Sequence, residues 1–281
     1  MPRIIECFYP GDGFPAISVT GRECALKCKH CGRKYLDGMV PATRPEELLE
    51  VAEALAERGA KGFLLSGGSD TSGRVRIADF ADAISEIKET TDLLINAHVG
   101  LSRRTELERL VRSGVDAFST DLYGDSQTIA EVLGIEANPE DYYQVIRDLK
   151  DLGASRIAPH VCIGIRGGKL GSEIHAIQNV KELGPEALIL ISLMPTKGTA
   201  YEGVTPPDRA ALLQVARKAR EMMPGTKLLL GCMRSKLDRS SEVDMVEAGV
   251  DGLVLPASAT VDRLRNSGYS IKKRSTCCAM F

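Results

Sequence analysis

The chain has 281 residues, 43% of them apolar and 26% charged, with 36 Lys+Arg against 38 Asp+Glu and a formal net charge of −2. That size and balance suit one globular domain and exclude a disordered tail, a coiled coil and a collagen-like fibre. The near-neutral charge offers no field for nucleic acid or an anionic membrane, and with no Trp and 5% aromatics a base-stacking platform is excluded too.

In chain order, residues 1–13 read as an N-terminal extension that carries Cys7. Residues 14–21 (FPAISVTG) read as a first strand. Residues 45–59 read as a helix, with Leu48, Leu49, Val51, Ala52, Leu55 and Ala56 at helical spacing, Pro45 in the first turn and Thr43 as N-cap. Strand-like runs then recur at 62–65, 93–99, 115–120, 156–165, 187–193, 227–230 and 252–255. Helical runs lie between them at 77–89, 104–112, 141–152, 173–183, 208–223 and 241–247. Gly114, Gly153, Gly184, Gly225 and Gly249 close helices before the next strand. Residues 259–281 read as a C-terminal tail. Eight strand–helix units at this length predict a single-domain α/β fold, a (β/α)8 TIM-type barrel; a doubly wound open sheet is the competing architecture. In a barrel the loops after the strands share one rim, and the Gly-rich and polar clusters fall there: Ser66–Asp70, Asp121–Gly124, Arg166–Gly168 and Pro195–Thr199.

No run of about 18 apolar residues appears, and the first residues lack the apolar stretch of a signal peptide, so a cytoplasmic protein off the membrane is expected. There the eight cysteines read as metal ligands or catalytic groups rather than disulfides. Cys24, Cys28 and Cys31 form C-x3-C-x2-C in a loop just after the first strand. Three thiolates so close can grip one corner of an iron–sulfur cubane and leave one iron open. Zinc with His30 as fourth ligand is an alternative, although His30 adjoins Cys31; bare thiols are another.

The Cys24-x3-Cys28-x2-Cys31 loop after the first strand of a barrel resembles the radical S-adenosylmethionine (SAM) superfamily. The resemblance implies a [4Fe-4S] cluster whose open iron binds SAM and cleaves it reductively to a 5′-deoxyadenosyl radical. His30 stands where the family usually has an aromatic residue. Ser66-Gly67-Gly68-Ser69 resembles the Gly-Gly-Glu motif that meets the SAM amino group, with Ser69 in place of Glu. Ser119 and Asp121 resemble the polar pair that binds the SAM ribose. Glu173 ends a segment similar to the family's glycine-rich stretch, and residues 194–199 resemble the segment that packs on adenine. His98 and His160, near the ends of their strands, either line the lumen or are satisfied core histidines, the second being the simpler reading.

FPAISVTG-x-x-CAL-x-CKHC and FLLSGGSD resemble an archaeal biotin synthase-like group, some of whose members act as halves of a two-protein lipoyl synthase. The resemblance implies sulfur insertion into an unactivated C–H bond. It also implies an auxiliary [4Fe-4S] cluster on Cys7, Cys232, Cys277 and Cys278, with Cys162 or Ser275 as further ligand. Expected partners are an electron donor such as ferredoxin, an acyl-carrying protein domain and a second radical SAM protein. A single-cluster mutase or lyase and a non-enzymatic zinc-binding barrel are the alternatives.

Overall fold

The computed structural model describes residues 2–235 and 241–281. Eleven strands form one parallel sheet. They are β1 (Ile4–Phe8), β2 (Ala16–Ser18), β3 (Val40–Pro41), β4 (Gly62–Ser66), β5 (Leu94–His98), β6 (Ala117–Leu122), β7 (Ile157–Ile163), β8 (Ala187–Ser192), β9 (Lys227–Leu230), β10 (Gly252–Val254) and β11 (Ser270–Arg274). The helices are α1 (Pro45–Glu57), α2 (Ala81–Thr90), α3 (Arg104–Arg112), α4 (Ser126–Leu133), α5 (Pro139–Asp151), α6 (Glu173–Lys181), α7 (Arg209–Met222), α8 (Glu242–Glu247) and α9 (Ser258–Asn266).

Strand order is β11-β1-β10-β9-β8-β7-β6-β5-β4-β2-β3. From β4 to β10 the order follows the chain without reversal, with β2 beside β4 and the two-residue β3 outside it, so there is no switch point of the doubly wound kind. Right-handed crossovers therefore place the helices on one face. All eight expected strands form. A closed eight-stranded barrel does not: β10 pairs with β1 rather than β2, and the sheet ends at β11 and β3. The segment taken as an N-terminal extension is itself a strand, held between β10 and β11 in the registers Cys7↔Leu253 and Cys7↔Lys273.

Local chemistry explains the elements. In α1, Pro45 occupies the first turn, and the Glu47 carboxylate accepts both the N–H and the hydroxyl of Thr43 at 2.7 and 3.0 Å. Arg44, not Thr43, is the N-cap residue; Thr43 closes the turn from one position further out. Leu48, Ala52 and Leu55 turn to the sheet and are buried, each leucine gaining roughly 2 kcal/mol from leaving water. Gly114, Gly153, Gly184 and Gly249 take left-handed φ; Gly225 does not.

The sheet separates two cores. The larger lies between strands and helices and contains Ile5 and Cys7 of β1. The smaller lies on the inner, concave face, where Phe8, Ala117, Ala158, Ala187, Ile189, Leu229 and Val254 surround Cys278 and Ala279. Where barrels usually fill the lumen with bulky branched residues, three alanines leave room, and the C-terminal segment turns down into it.

Candidate active site

The cysteine loop is zipped to the loop after β4. Val19 N–H donates to Ser66 O at 2.8 Å, and Gly68 N–H to Thr20 Oγ1 at 2.7 Å. Ala25 N–H donates to Ser69 O at 2.7 Å, and Ser69 N–H to Cys24 Sγ at 3.3 Å. A Cβ added to Gly68 would lie 1.9 Å from Glu23 O and 2.6 Å from Cys24 Cβ, so only glycine allows this approach. The other side is held by Lys29 N–H on Val132 O and Tyr201 N–H on Lys29 O.

Within the loop Cys28 is buried, and Cys24 and Cys31 are half-buried. The Cys28 and Cys31 thiols share a hydrogen bond. It draws Cys31 down to about 7 and pushes Cys28, the donor, up. Cys31 is thus inclined to the thiolate form that iron takes up. Beside it the buried Nδ1 of His30 has no hydrogen-bond partner among the described residues. Burial lowers the pKa of that ring against the pull of the Asp121 charge.

Asp121 lies on the concave face at the end of β6. Burial raises its pKa, but His98, bonded to it at 3.4 Å, together with His160 and His30, outweighs this and holds the group at about 2. Three of the four histidines thus gather round one carboxylate. His98 and His160 stack, with centroids 6.0 Å apart. His160 Nδ1 lies 2.8 Å from Ala158 O, and desolvation, then His98, push its ring down to about 4. These two histidines belong to the site and not to the core. Strand parity was the available signal, since His98 and Asn96, like Asp121 and Ser119, alternate on one face. Ser119 is buried and donates to Asn96 Oδ1 at 3.0 Å, so its hydroxyl is already committed.

Glu173 is buried at the start of α6. Its Oε1 accepts Gly164 N–H at 2.8 Å and its Oε2 accepts Gly171 N–H at 2.6 Å. It shapes the loop after β7 and presents no free oxygen of this pair to a ligand. Cys162 faces the lumen within the fields of Asp121 and Glu173, its pKa raised chiefly by burial.

The C-terminal cysteines sit deeper. Asn96 Nδ2 points at Cys277 Sγ from 3.8 Å. A hydrogen bond from Cys278 draws Cys277 down to about 7 and raises Cys278. The charge fields of Cys277 and Cys278 reach Cys232, which follows β9. Cys277 and Cys278 thus form a hydrogen-bonded pair, and Cys232, exposed after β9, lies within the reach of their charge. The structure does not bring Cys7 to them: alternation along β1 turns Phe8 to the lumen and Cys7 to the helix side. There burial pushes Cys7 up to about 11, with Arg265, Glu242 and Lys273 as its charged neighbours. Ser275 is exposed and lines a cavity with Tyr9, Lys273 and Arg274.

Among the described residues no three His, Cys, Asp or Glu side chains close to the spacing of a single metal ion. A cubane spreads its thiolates over separate irons and does not need that spacing.

The family model for the radical SAM superfamily matches residues 18–171, from the cysteine loop to the segment before α6. The chain belongs to the radical SAM superfamily. It is 28% identical over 202 residues to biotin synthase of Rhodopirellula baltica, covering 69% of this chain but only 55% of that one, so it spans about half the length of that relative. To biotin synthase of Wolinella succinogenes it is 25% identical over 85% of this chain and 86% of the relative. Among solved structures the [FeFe]-hydrogenase maturase HydG from Carboxydothermus hydrogenoformans superposes with a TM-score of 0.69 at 18% identity, covering 95% of this chain and 67% of that one. Methylornithine synthase (PylB) superposes at 0.66 and 18%, covering 98% and 84%. These likenesses show the shared fold. No described helix is long and apolar enough to cross a membrane.

The superfamily implies a [4Fe-4S] cluster and SAM, and the residues fit them. The thiols of Cys24, Cys28 and Cys31 share one loop, Gly68 brings backbone against it with no room for a side chain, and the unpartnered His30 Nδ1 and the carboxylate of Asp121 lie beside it.

Proposed function

We propose that this radical SAM enzyme inserts sulfur into an unactivated C–H bond, with Cys232, Cys277 and Cys278 holding a second iron–sulfur cluster inside the barrel. The reading rests on the Cys277–Cys278 pair packed on the concave face of the sheet, with Cys232 after β9 near enough to feel the Cys277 charge. Asp121 and His98 connect the two groups electrostatically: Asp121 feels His30 of the Cys24–Cys31 loop, and His98 feels Cys277. The likeness to biotin synthases supports the same reaction class.

When bound, the SAM cluster supplies an electron that yields a hydrogen-abstracting radical. Cys24, Cys28 and Cys31 hold that cluster, and the Gly67–Ser69 backbone seats the methionine end of SAM. Asp121 offers its carboxylate to the ribose hydroxyls. Cys232, Cys277 and Cys278 hold the sulfur source, and the tail packs its Cys278 and Ala279 on the concave face beside them. Glu173 and Ser119 orient neighbouring backbone and side chains. Within this reading an electron donor such as ferredoxin, an acyl-carrying protein domain and a second radical SAM protein are the partners, and the cytoplasm is the place of action.

Anaerobic reconstitution tests it. About eight irons per chain are expected, falling to about four in Cys232→Ala and Cys277→Ala, with deoxyadenosine formation retained and sulfur incorporation lost. About four irons in the unaltered protein would favour a single-cluster mutase or lyase.

A further inference from the structure

β11 ends the sheet and is bonded on one side only, to β1. In a parallel pair, alternate residues turn their backbone groups to the same neighbour. Ser270 N–H donates to Arg3 O at 3.0 Å, and Arg274 O accepts Tyr9 N–H at 2.7 Å. Ser270, Lys272 and Arg274 therefore face β1, and the N–H and C=O groups of Ile271 and Lys273 point away from the sheet. Among the described residues nothing pairs with them. Such a row of unpaired groups is a template for one more strand.

The side chains along this edge carry one sign of charge. Lys272 and Arg274 lie on the concave face with Glu6 and Phe8, and Lys273 lies on the opposite face with Cys7. Glu6 is the carboxylate set against them, and it already takes Lys227 at 2.8 Å and Arg274 at 2.6 Å. Lys272 stands off from it at 3.9 Å, its side chain 52% exposed. Lys273 is exposed and has no ion pair among the described residues. Just past the strand, Lys273, Arg274, Ser275 and Tyr9 line an open cavity. A second copy of this edge would set lysine against lysine. Like charges across a strand pair repel, whereas carboxylates there are attracted.

We infer that the free edge of β11 takes up an extended acidic segment of a partner protein as a further strand. The segment's backbone bonds Ile271 and Lys273. Its carboxylates alternate between the two faces and reach Lys272 and Arg274 on one, Lys273 on the other. β11 runs parallel to the other strands, so one end of the added strand lies at the rim that carries the cysteine loop. The inference holds whichever reaction that rim performs.

Fluorescence anisotropy with the anaerobic, iron-loaded protein tests this. The probes are labelled Val-Glu-Glu-Glu-Val, its counterpart Val-Gln-Gln-Gln-Val, and the acidic peptide N-methylated at every residue, which keeps the charge and removes the backbone donors. At low salt the acidic peptide is expected to bind about tenfold more tightly than the glutamine peptide. N-methylation should weaken it by about tenfold again. Ile271→Pro removes an outward N–H without touching the ladder to β1 and should cost a similar factor, about tenfold. The inference is overturned if the acidic peptide does not bind, if the glutamine peptide binds as tightly, or if the methylated peptide does, which would reduce the edge to a charged surface. A dimer of the chain that excludes the acidic peptide would also overturn it, by giving the edge to a second copy. The three probes on the parent protein decide the matter even if Ile271→Pro fails to fold.

Discussion

At Gly68 the absence of one methyl group permits the cysteine loop and the loop after β4 to touch. Alanine there would meet backbone, not a flexible side-chain end, and the two loops would have to part. Gly68→Ala is expected to weaken SAM binding by about tenfold or more, while leaving thermal stability within a few degrees, because the clash lies in rim loops; dialysis and a melting curve check both halves. His160 gives a pH signature. Burial, then His98, hold its folded pKa at about 4, against about 6.5 when unfolded. Across that window the unfolded chain binds a proton that the native state does not, so stability rises with pH and falls on acidification. The melting temperature should drop between about pH 7 and pH 4.5, and the drop should be smaller in His160→Phe. Equal drops in the two proteins would mean that the ring takes up its proton alike in the folded and unfolded chain.

Among the elements, the C-terminal segment has the least ordinary task. Cys278 and Ala279 rest on Ala117, Ala158 and Ala187, with Ile189, Leu229, Val254 and Phe8 around them and Met280 and Phe281 packed alongside. Deleting residues 278–281 would open a large apolar cavity. A cost of about 2–5 kcal/mol is expected, read as a lower denaturation midpoint in urea. Iron binding at Cys232 should be lost with it, since two of the three proposed ligand thiols would be gone or unanchored. The segment also shows where sequence reading stops. Local spacing revealed Cys24, Cys28, Cys31 and the Gly67–Gly68 turn, because their chemistry needs neighbours along the chain. The eight strand positions were legible from alternating apolar and helical runs. The lumen was not, because which face a residue takes depends on strand register, and one residue of shift exchanges the faces. Cys7 and Phe8 are such a pair, and so His98 and His160 read more simply as core than as lumen, and Cys7 as a ligand.

For the whole molecule, the decisive departure from a closed barrel is β1. The run Ile4–Phe8 is as long as β4 and β5 but lacks the α-helix that follows most of the other units, so it reads as an extension; only the tertiary pairing makes it a strand. It bonds β10 on one side and β11 on the other, so the strand that leads into the lumen segment depends on it. Glu6 adds an electrostatic clip. It is buried, and its carboxylate is bonded by Lys227 of β9 at 2.8 Å and Arg274 of β11 at 2.6 Å. Burial raises its pKa, but these two cations outweigh that and hold the carboxyl below its usual range. Its contribution is therefore present above the ordinary carboxylate pKa and lost as pH falls through the depressed one. Glu6→Gln leaves two half-exposed cations against a neutral amide. A loss of about 1–3 kcal/mol near neutral pH is expected, discounted from the buried-pair range because both cations reach solvent. The loss should shrink toward acid pH, where the parent carboxylate is itself protonated. Urea unfolding of parent and variant at two pH values measures the difference. A constant gap at both pH values would show that Glu6 acts through packing alone and that β1 is held by its backbone ladder.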